Sequence, residues 1–395
     1  MLSGENIVCF APDPSWRHLW RNRHQIMTRL ARKNRILFVE PTPYLRPVMA
    51  DVRRQGIAAL RKSTLFSPME NLWVYRSPNL YPISGKSPLR QLTFALRKGH
   101  LRRTLSRLDM KQPILWVFRY DLGEMIGHLD EKLVIYHAVD EYAGYALSSP
   151  GPQRQEHARR IMRMERQVLQ QADLVFVTSP RLRESKLAWN QHIYVVPNGV
   201  DYDHFSQPPQ QLPTDILAAP PPRIGYAGAI NEKIDIDLLE TIARQRPDWS
   251  LVLVGPTLFK QPERLNVLRT LPNVYFLGAK SVEALPAYMH AFDVALMPYA
   301  HNLWTEHINP LKLYEYLATG RPIVSTSIPA VLEFRDVVRI EDNREAFVQA
   351  IDQALHESTP DLSAKRQEVA RQHTWNQRIE TLSSIIQGHL TERPF

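Results

Sequence analysis

The sequence predicts an α/β protein of two doubly wound parallel-sheet domains, and three observations carry that expectation. Short apolar runs rich in strand-forming residues alternate with longer amphipathic stretches along the chain. The runs fall into two series separated by a proline-rich connector. A length of 395 residues suits two domains, each able to bury its own core.

The first series of expected strands is 7–10, 36–39, 72–75, 114–118, 133–136, 174–177 and 193–196. The second is 224–227, 251–254, 274–277, 294–297, 323–325 and 337–340. Between them runs QPPQQLPTDILAAPPPR at 207–223, whose prolines withhold backbone donors from any ladder or helix and favour an extended connector. The expected organisation is therefore a first domain over 1–206, a linker over 207–222, a second domain over 223–374 and a closing helix over 375–395. In that helix Ile379, Leu382, Ile385 and Ile386 recur at helical spacing, so it can pack on the second domain or cross back to the first. No repeat of 20 to 50 residues is visible.

Composition narrows the class. With 23% charged residues and ordinary aromatic content the chain is neither disordered nor collagen-like. One cysteine, Cys9, excludes an intrachain disulfide and a thiolate metal cage and points to a reducing compartment, with the cytoplasm as the default. No run of 18 apolar residues occurs, and the first ten residues lack the basic stretch and apolar core of a signal peptide. The chain is expected neither to be secreted by that route nor to span a membrane. Residues 1–111 hold 21 Lys and Arg against 6 Asp and Glu, a net +15, whereas residues 201–395 hold 18 against 24, a net −6. The first part is expected to face something anionic, unless its basic surface is merely solvated.

Ligands of open parallel sheets bind beyond the carboxyl ends of the strands, so the cleft between two such sheets is the expected site. The most informative segment is HINPLKLYEYLATGRPIVST at 307–326. Asn309 suits a helix cap, Pro310 a first helical position, Gly320 the left-handed closing residue, and Pro322 prevents continuation. The amino end of this helix, around Asn309, Pro310 and Leu311, would favour a phosphate through its positive end and its free backbone amides, Pro310 itself having none. Lys312 and Glu315 share one face, about 4.5 Å apart along the axis. That offset fits a nucleoside diphosphate, with Lys312 at the pyrophosphate and the two carboxylate oxygens of Glu315 accepting from the ribose hydroxyls. It also fits an ordinary exposed Lys–Glu pair.

This segment resembles the nucleotide-binding helix of GT-B glycosyltransferases, in particular the group 1 family and its relatives in teichuronic acid, capsule and xanthan assembly. Further matches follow in the family's order: VVPNGVDYDHF at 195–205, RIGYAGAINEKIDIDLL at 223–239, LVLVGP at 251–256 and NVYFLGAKSVEALPAYMHAFDVALMPY at 273–299. Each is weak singly; the ordered set covers most of the chain. The resemblance implies a GT-B fold of two Rossmann-like domains facing a cleft, a nucleoside-diphosphate sugar as donor, and a saccharide or lipid-linked acceptor. It implies that Glu315 holds ribose, that Lys312 contacts the donor phosphate, and that Gly278, Ala279 and Lys280 hold the base through backbone groups. Ser281 is expected to cap the following helix, and Tyr299, beside Pro298, to wall the same pocket. Gly225 and Gly228 are expected to let backbone approach a phosphate.

Two positions depart from the family pattern. The acidic residue eight positions before the ribose carboxylate is here His307, with Glu306 beside it, and the arginine after the first glycine loop is replaced by Ala229, with Lys233 a few residues on. Transfer to a hydroxyl needs a base and stabilisation of the leaving diphosphate. By resemblance the base is Asp140 in LVIYHAVDEYAGY, with His137 and Glu141 as rivals and a capping role as the alternative; the stereochemistry stays open. Arg119 and the Trp20, Arg21, Asn22, Arg23, His24 cluster are weaker candidates for acceptor or phosphate contact, as is His307.

The Asp201/Asp203 and Asp235/Asp237 pairs fit turn and helix capping better than a metal site, and metal-independent catalysis without a cofactor is expected. Arg53, Arg54, Arg61, Lys62, Arg97, Lys98, Arg102 and Arg103 lack any recognisable groove-reading module, so no nucleic-acid partner is expected. Interleaved with Leu60, Leu65, Phe66, Leu89, Leu92, Phe94 and Leu96, they fit peripheral docking at the inner, anionic face of a cell membrane. The rivals to a polysaccharide-assembling transferase are a sugar-nucleotide 2-epimerase of the same fold and a noncatalytic sugar-nucleotide or polyanion binder.

Overall fold

The structure is a computed structural model and describes all residues except 13–15, 17–19, 62–63, 84–87, 148–150, 358 and 393–395. Lys62, one of the expected basic-surface residues, lies outside the described residues. The chain divides into two units: Met1–Val139 with Glu156–Val196 and Ile379–Phe395, and Asp140–Gln155 with Pro197–Arg378.

The first unit holds an eight-stranded sheet of β1 (Asn6–Phe10), β2 (Arg35–Val39), β3 (Thr64–Met69), β4 (Leu72–Arg76), β5 (Ile114–Val117), β6 (Leu133–Ala138), β7 (Leu174–Val177) and β8 (Ile193–Val195). Their order is β3-β4-β2-β1-β5-β6-β7-β8, parallel throughout except for β3. Central strands bury both faces, which explains their unbroken apolar runs; Ile7 pairs with Ile36 on one side and Ile114 on the other. The unexpected strand β3 runs antiparallel to β4 at the sheet edge, with a bulge between Phe66 and Met69. An edge position tolerates its Pro68 and its exposed Leu65, so it lacks the signature of a buried strand.

The second unit holds a six-stranded, wholly parallel sheet of β9 (Arg223–Ala227), β10 (Ser250–Val254), β11 (Val274–Gly278), β12 (Val294–Met297), β13 (Ile323–Ser325) and β14 (Arg339–Ile340), in the order β11-β10-β9-β12-β13-β14. Strand β14 is shorter than the sequence suggests because the amides of Val337 and Val338 both donate to the Phe334 carbonyl, closing the preceding 3-10 turn. Gly225 in β9 serves packing: a Cβ there would lie 2.1 Å from the Phe292 ring, so this glycine admits an aromatic side chain rather than a phosphate.

The 207–223 stretch belongs to the second unit, where it forms a short turn of helix, Thr214–Ala218, that buries Ile216 completely. The closing helix spans Trp375–Glu392, and from Ile379 onward it belongs to the first unit, with the His389 ring 5.8 Å from that of Tyr194. Among the described residues no helix is long and apolar enough to cross a membrane.

Candidate nucleotide-binding site

The expected helix forms as Leu311–Thr319 and closes on Gly320 in the left-handed conformation, φ 73°. Its start differs from expectation. Pro310 occupies the capping position in extended conformation, and no side chain caps the first turn. Asn309 is buried instead: its Oδ1 accepts from the Asn198 amide at 2.8 Å, and its Nδ2 donates to the Tyr314 hydroxyl at 3.0 Å. The amino end of the helix thus keeps its positive end without an internal side-chain acceptor, a setting that favours an anion.

Lys312 crosses the backbone at Gly228, where φ is +149° and a Cβ would lie 2.8 Å from Lys312 Cε. Its Nζ donates to the Tyr299 hydroxyl at 3.1 Å and stands 4.9 Å from the Tyr226 ring. Lys312 forms no ion pair among the described residues, so phenols rather than a carboxylate hold its ammonium. One turn on, Glu315 is half-buried by solvent exposure, and the loss of water around its carboxyl raises it to about pH 7, with the Lys312 charge opposing the rise. Burial also pushes the Tyr299 phenol well up, and the negative charges of Glu315 and Asp140 add to it. Tyr299, Lys312, Glu315 and Asp140 therefore share one electrostatic neighbourhood within the second unit.

Three loops at the carboxyl ends of β9, β10 and β11 are tied by backbone bonds. The Gly228 amide donates to the Val254 carbonyl at 2.8 Å, and the Gly255 amide to the Gly278 carbonyl at 2.8 Å. Gly255, at φ +143°, is required there because a Cβ would stand 1.9 Å from the Gly228 oxygen. Gly278 has φ 71° and open space where its Cβ would be. Beyond Ala279, Lys280 pairs with Asp215 at 2.5 Å, and Asp215 also accepts from the Tyr288 hydroxyl at 2.7 Å. Ser281 does not cap with its side chain; its carbonyl accepts from the Ala284 and Leu285 amides ahead of helix Leu285–His290.

Asp140 lies in the segment that joins the second unit, and its Oδ2 accepts from the Tyr145 hydroxyl. Tyr145 meets Trp304 edge-on at 4.3 Å, and the Lys233 ammonium stands 4.8 Å from the same Trp304 ring. His307 Nδ1 donates to the Leu303 carbonyl at 2.8 Å, and Glu306 is exposed. Of the rival bases, His137 is locked in the first unit's core, stacked 4.8 Å from Phe118, with burial lowering it to about pH 3.

The remaining candidates lie in the first unit. His24 is fully buried between Trp20 and Phe38, and its Nδ1 accepts from the Arg21 amide at 3.0 Å, which closes the start of helix Asn22–Leu30. Burial, aided by Arg23, lowers His24 to about pH 3, so it is a neutral packing residue. Arg119 grips Asp121 with two bonds, 2.8 and 2.6 Å. Tyr226, Gly255 and Tyr145 also take part in this geometry, beyond the residues that the motifs single out. The signal for Tyr226 was present: it is the aromatic residue two positions before Gly228, at the exit of β9.

The second unit resembles known proteins in sequence, and the whole chain resembles others in fold. Residues 221–357 match the family described as Glycosyl transferases group 1. TuaH of Bacillus subtilis strain 168, named for teichuronic acid biosynthesis and as a glycosyltransferase, is 30% identical over 254 residues; the match covers 62% of this chain and 64% of TuaH. Among solved structures, sucrose-phosphate synthase from Thermosynechococcus elongatus superposes with a TM-score of 0.72 at 15% identity, over 98% of this chain and 100% of that one. Anabaena HepE in complex with UDP-glucose gives 0.67 at 15% identity over 97% and 99%, and WaaG, a lipopolysaccharide-biosynthesis glycosyltransferase, gives 0.64 at 16% over 97% and 100%. The fold is the GT-B type of two Rossmann-like parallel-sheet units, as the resemblance implies.

Proposed function

From the match of residues 221–357 to the group 1 glycosyl transferases and the similarity to TuaH, we propose that the chain transfers a sugar from a nucleoside-diphosphate donor to a saccharide or lipid-linked acceptor in cell-surface polysaccharide biosynthesis. The observation that carries this is the Lys312 ammonium, held over Gly228 by two tyrosines and one turn ahead of the half-buried Glu315. UDP is the favoured nucleotide, since the similar HepE structure holds UDP-glucose. Lys312 and the uncapped helix start supply positive charge to the leaving diphosphate, so the transfer runs without a metal or cofactor. Gly278, Ala279 and Lys280 hold the base, and Asp140 is the general base.

Acceptor-dependent release of UDP from a UDP-sugar, with label moving into the acceptor, tests the transfer. A 2-epimerised product from donor alone, without transfer, would instead identify an epimerase.

The first unit docks on the cytoplasmic face of the membrane through its net positive charge and its exposed Tyr44, Met49, Ile57, Leu65, Leu92 and Leu96. Co-sedimentation with anionic vesicles at low salt is expected to exceed that with neutral vesicles, and equal binding would count against docking.

A further inference from the structure

The first unit contains a cavity of about 690 Å³ at the carboxyl ends of β1, β2, β4 and β5, where Phe10, Val39 and Tyr75 line it. One wall is a single face of helix Leu89–Arg107, on which Arg90, Phe94, Arg97 and Leu101 recur at helical spacing. Arg160 and Met164, one turn apart on helix Pro152–Gln171, line another part.

The charges of this cavity do not cancel. Its three carboxylates are each engaged: Glu40 by Arg76 at 2.7 Å, Asp121 by Arg119, and Glu124 by Arg90. Its remaining arginines, Arg46, Arg97 and Arg160, form no ion pair among the described residues. Arg97 Nε is shut off from solvent and has no hydrogen-bond acceptor. Burial and the nearby Arg119 and Arg90 charges weaken its hold on the proton, with Asp121 opposing them. A partly buried guanidinium without an acceptor is costly, and an anion with several oxygens removes that cost through its fork of N–H donors. Phe94, Leu101, Val39, Ile83, Met125 and Met164 meanwhile leave apolar wall that a small ion cannot cover.

We infer that this cavity binds a phosphate-bearing amphiphile, with the phosphate at Arg97 and Arg160 and an apolar chain along Phe94 and Leu101. Its identity as the acceptor site rests on the transferase reading; the binding itself does not. The phosphate can belong to a lipid-like chain or to a soluble phosphate ester, and the cavity's size and apolar walls favour the first.

The test is calorimetric titration of the full chain with octyl phosphate, glycerol 3-phosphate and octyl glucoside, each below any micelle-forming concentration. Octyl phosphate is expected to bind at least tenfold more tightly than either of the others. Arg97→Met is expected to weaken it by roughly ten- to a hundredfold, the size of one lost charge-assisted bond, and Arg160→Ala by several-fold, with UDP affinity unchanged in both. Should Arg97→Met fail to fold, the exposed Arg160 still decides. Absence of octyl phosphate binding, indifference to both substitutions, or equal affinity for glycerol 3-phosphate would overturn the inference. If octyl phosphate binds as expected while UDP does not bind the wild-type chain, the transferase reading falls and this site stands.

Discussion

Lys312 donates from Nζ to the hydroxyl of Tyr299 at 3.1 Å, a bond that fixes a cation beside the start of a helix without neutralising it. A carboxylate partner would compete with a diphosphate; a phenol, kept neutral here by burial, does not. Lys312→Met is therefore expected to weaken UDP binding by roughly ten- to a hundredfold, since a charge-assisted bond to phosphate is lost. Gly228→Ala should do the same indirectly, because its Cβ would displace Lys312 Cε. Titration of both variants with UDP checks this, with unchanged affinity as the contrary result.

Glu315 makes stability depend on pH. Its carboxyl titrates near pH 7 in the folded chain against an ordinary value of 4.5, so the folded state holds the proton more tightly. The sign follows: its contribution is fully present below about pH 4.5 and is lost as pH rises through 7. Glu315→Gln should raise the melting midpoint at pH 8 relative to wild type and change it little at pH 5. The wild type should also bind UDP more tightly at pH 8 than at pH 6, because only the ionised carboxylate offers all its lone pairs to the ribose hydroxyls, whereas the Gln variant should lose this difference.

Tyr145 donates its hydroxyl proton to the Asp140 carboxylate, which couples the two side chains in the proposed base. Asp140→Asn is expected to lower turnover by about 100-fold or more while leaving UDP affinity within about twofold, as befits a group engaged at the transfer step. Tyr145→Phe removes the hydroxyl that orients Asp140 and should lower kcat with little change in donor affinity. Full turnover in Asp140→Asn would remove it from the chemistry.

Gly255 tests the backbone ties between loops. Its substitution by alanine forces a Cβ to within 1.9 Å of the Gly228 oxygen at a φ that alanine avoids. A loss of about 2 kcal/mol or more is expected in denaturant unfolding, accompanied by weaker UDP binding. A variant as stable as wild type would show that the loops rearrange freely.

Strands buried on both faces were legible in the sequence because nothing but short apolar runs fits there, and 294–297 is the clearest case. The edge strand β3 was not, since its exposed face and Pro68 remove the pattern. Lys312 and Glu315 were legible because helical spacing alone brings them to one face. Tyr226, Tyr299 and Lys312 meet through sheet topology, as β9 and β12 are neighbours although their first residues, Arg223 and Val294, are 71 positions apart. Gly225 shows the converse: a glycine in a suggestive motif is explained by the Phe292 ring pressed against it. The segment around Asp140 gave no sign that it joins the second unit, because Trp304, its packing partner, lies far along the chain.

The most direct measurement is calorimetric titration of the full chain with UDP, GDP, ADP and TDP, repeated on Lys312→Ala and Glu315→Ala. Selective binding of UDP that both substitutions weaken at least tenfold is the predicted result. No binding of any nucleotide by the folded wild-type chain at high concentration, or binding that neither substitution alters, would contradict the donor site.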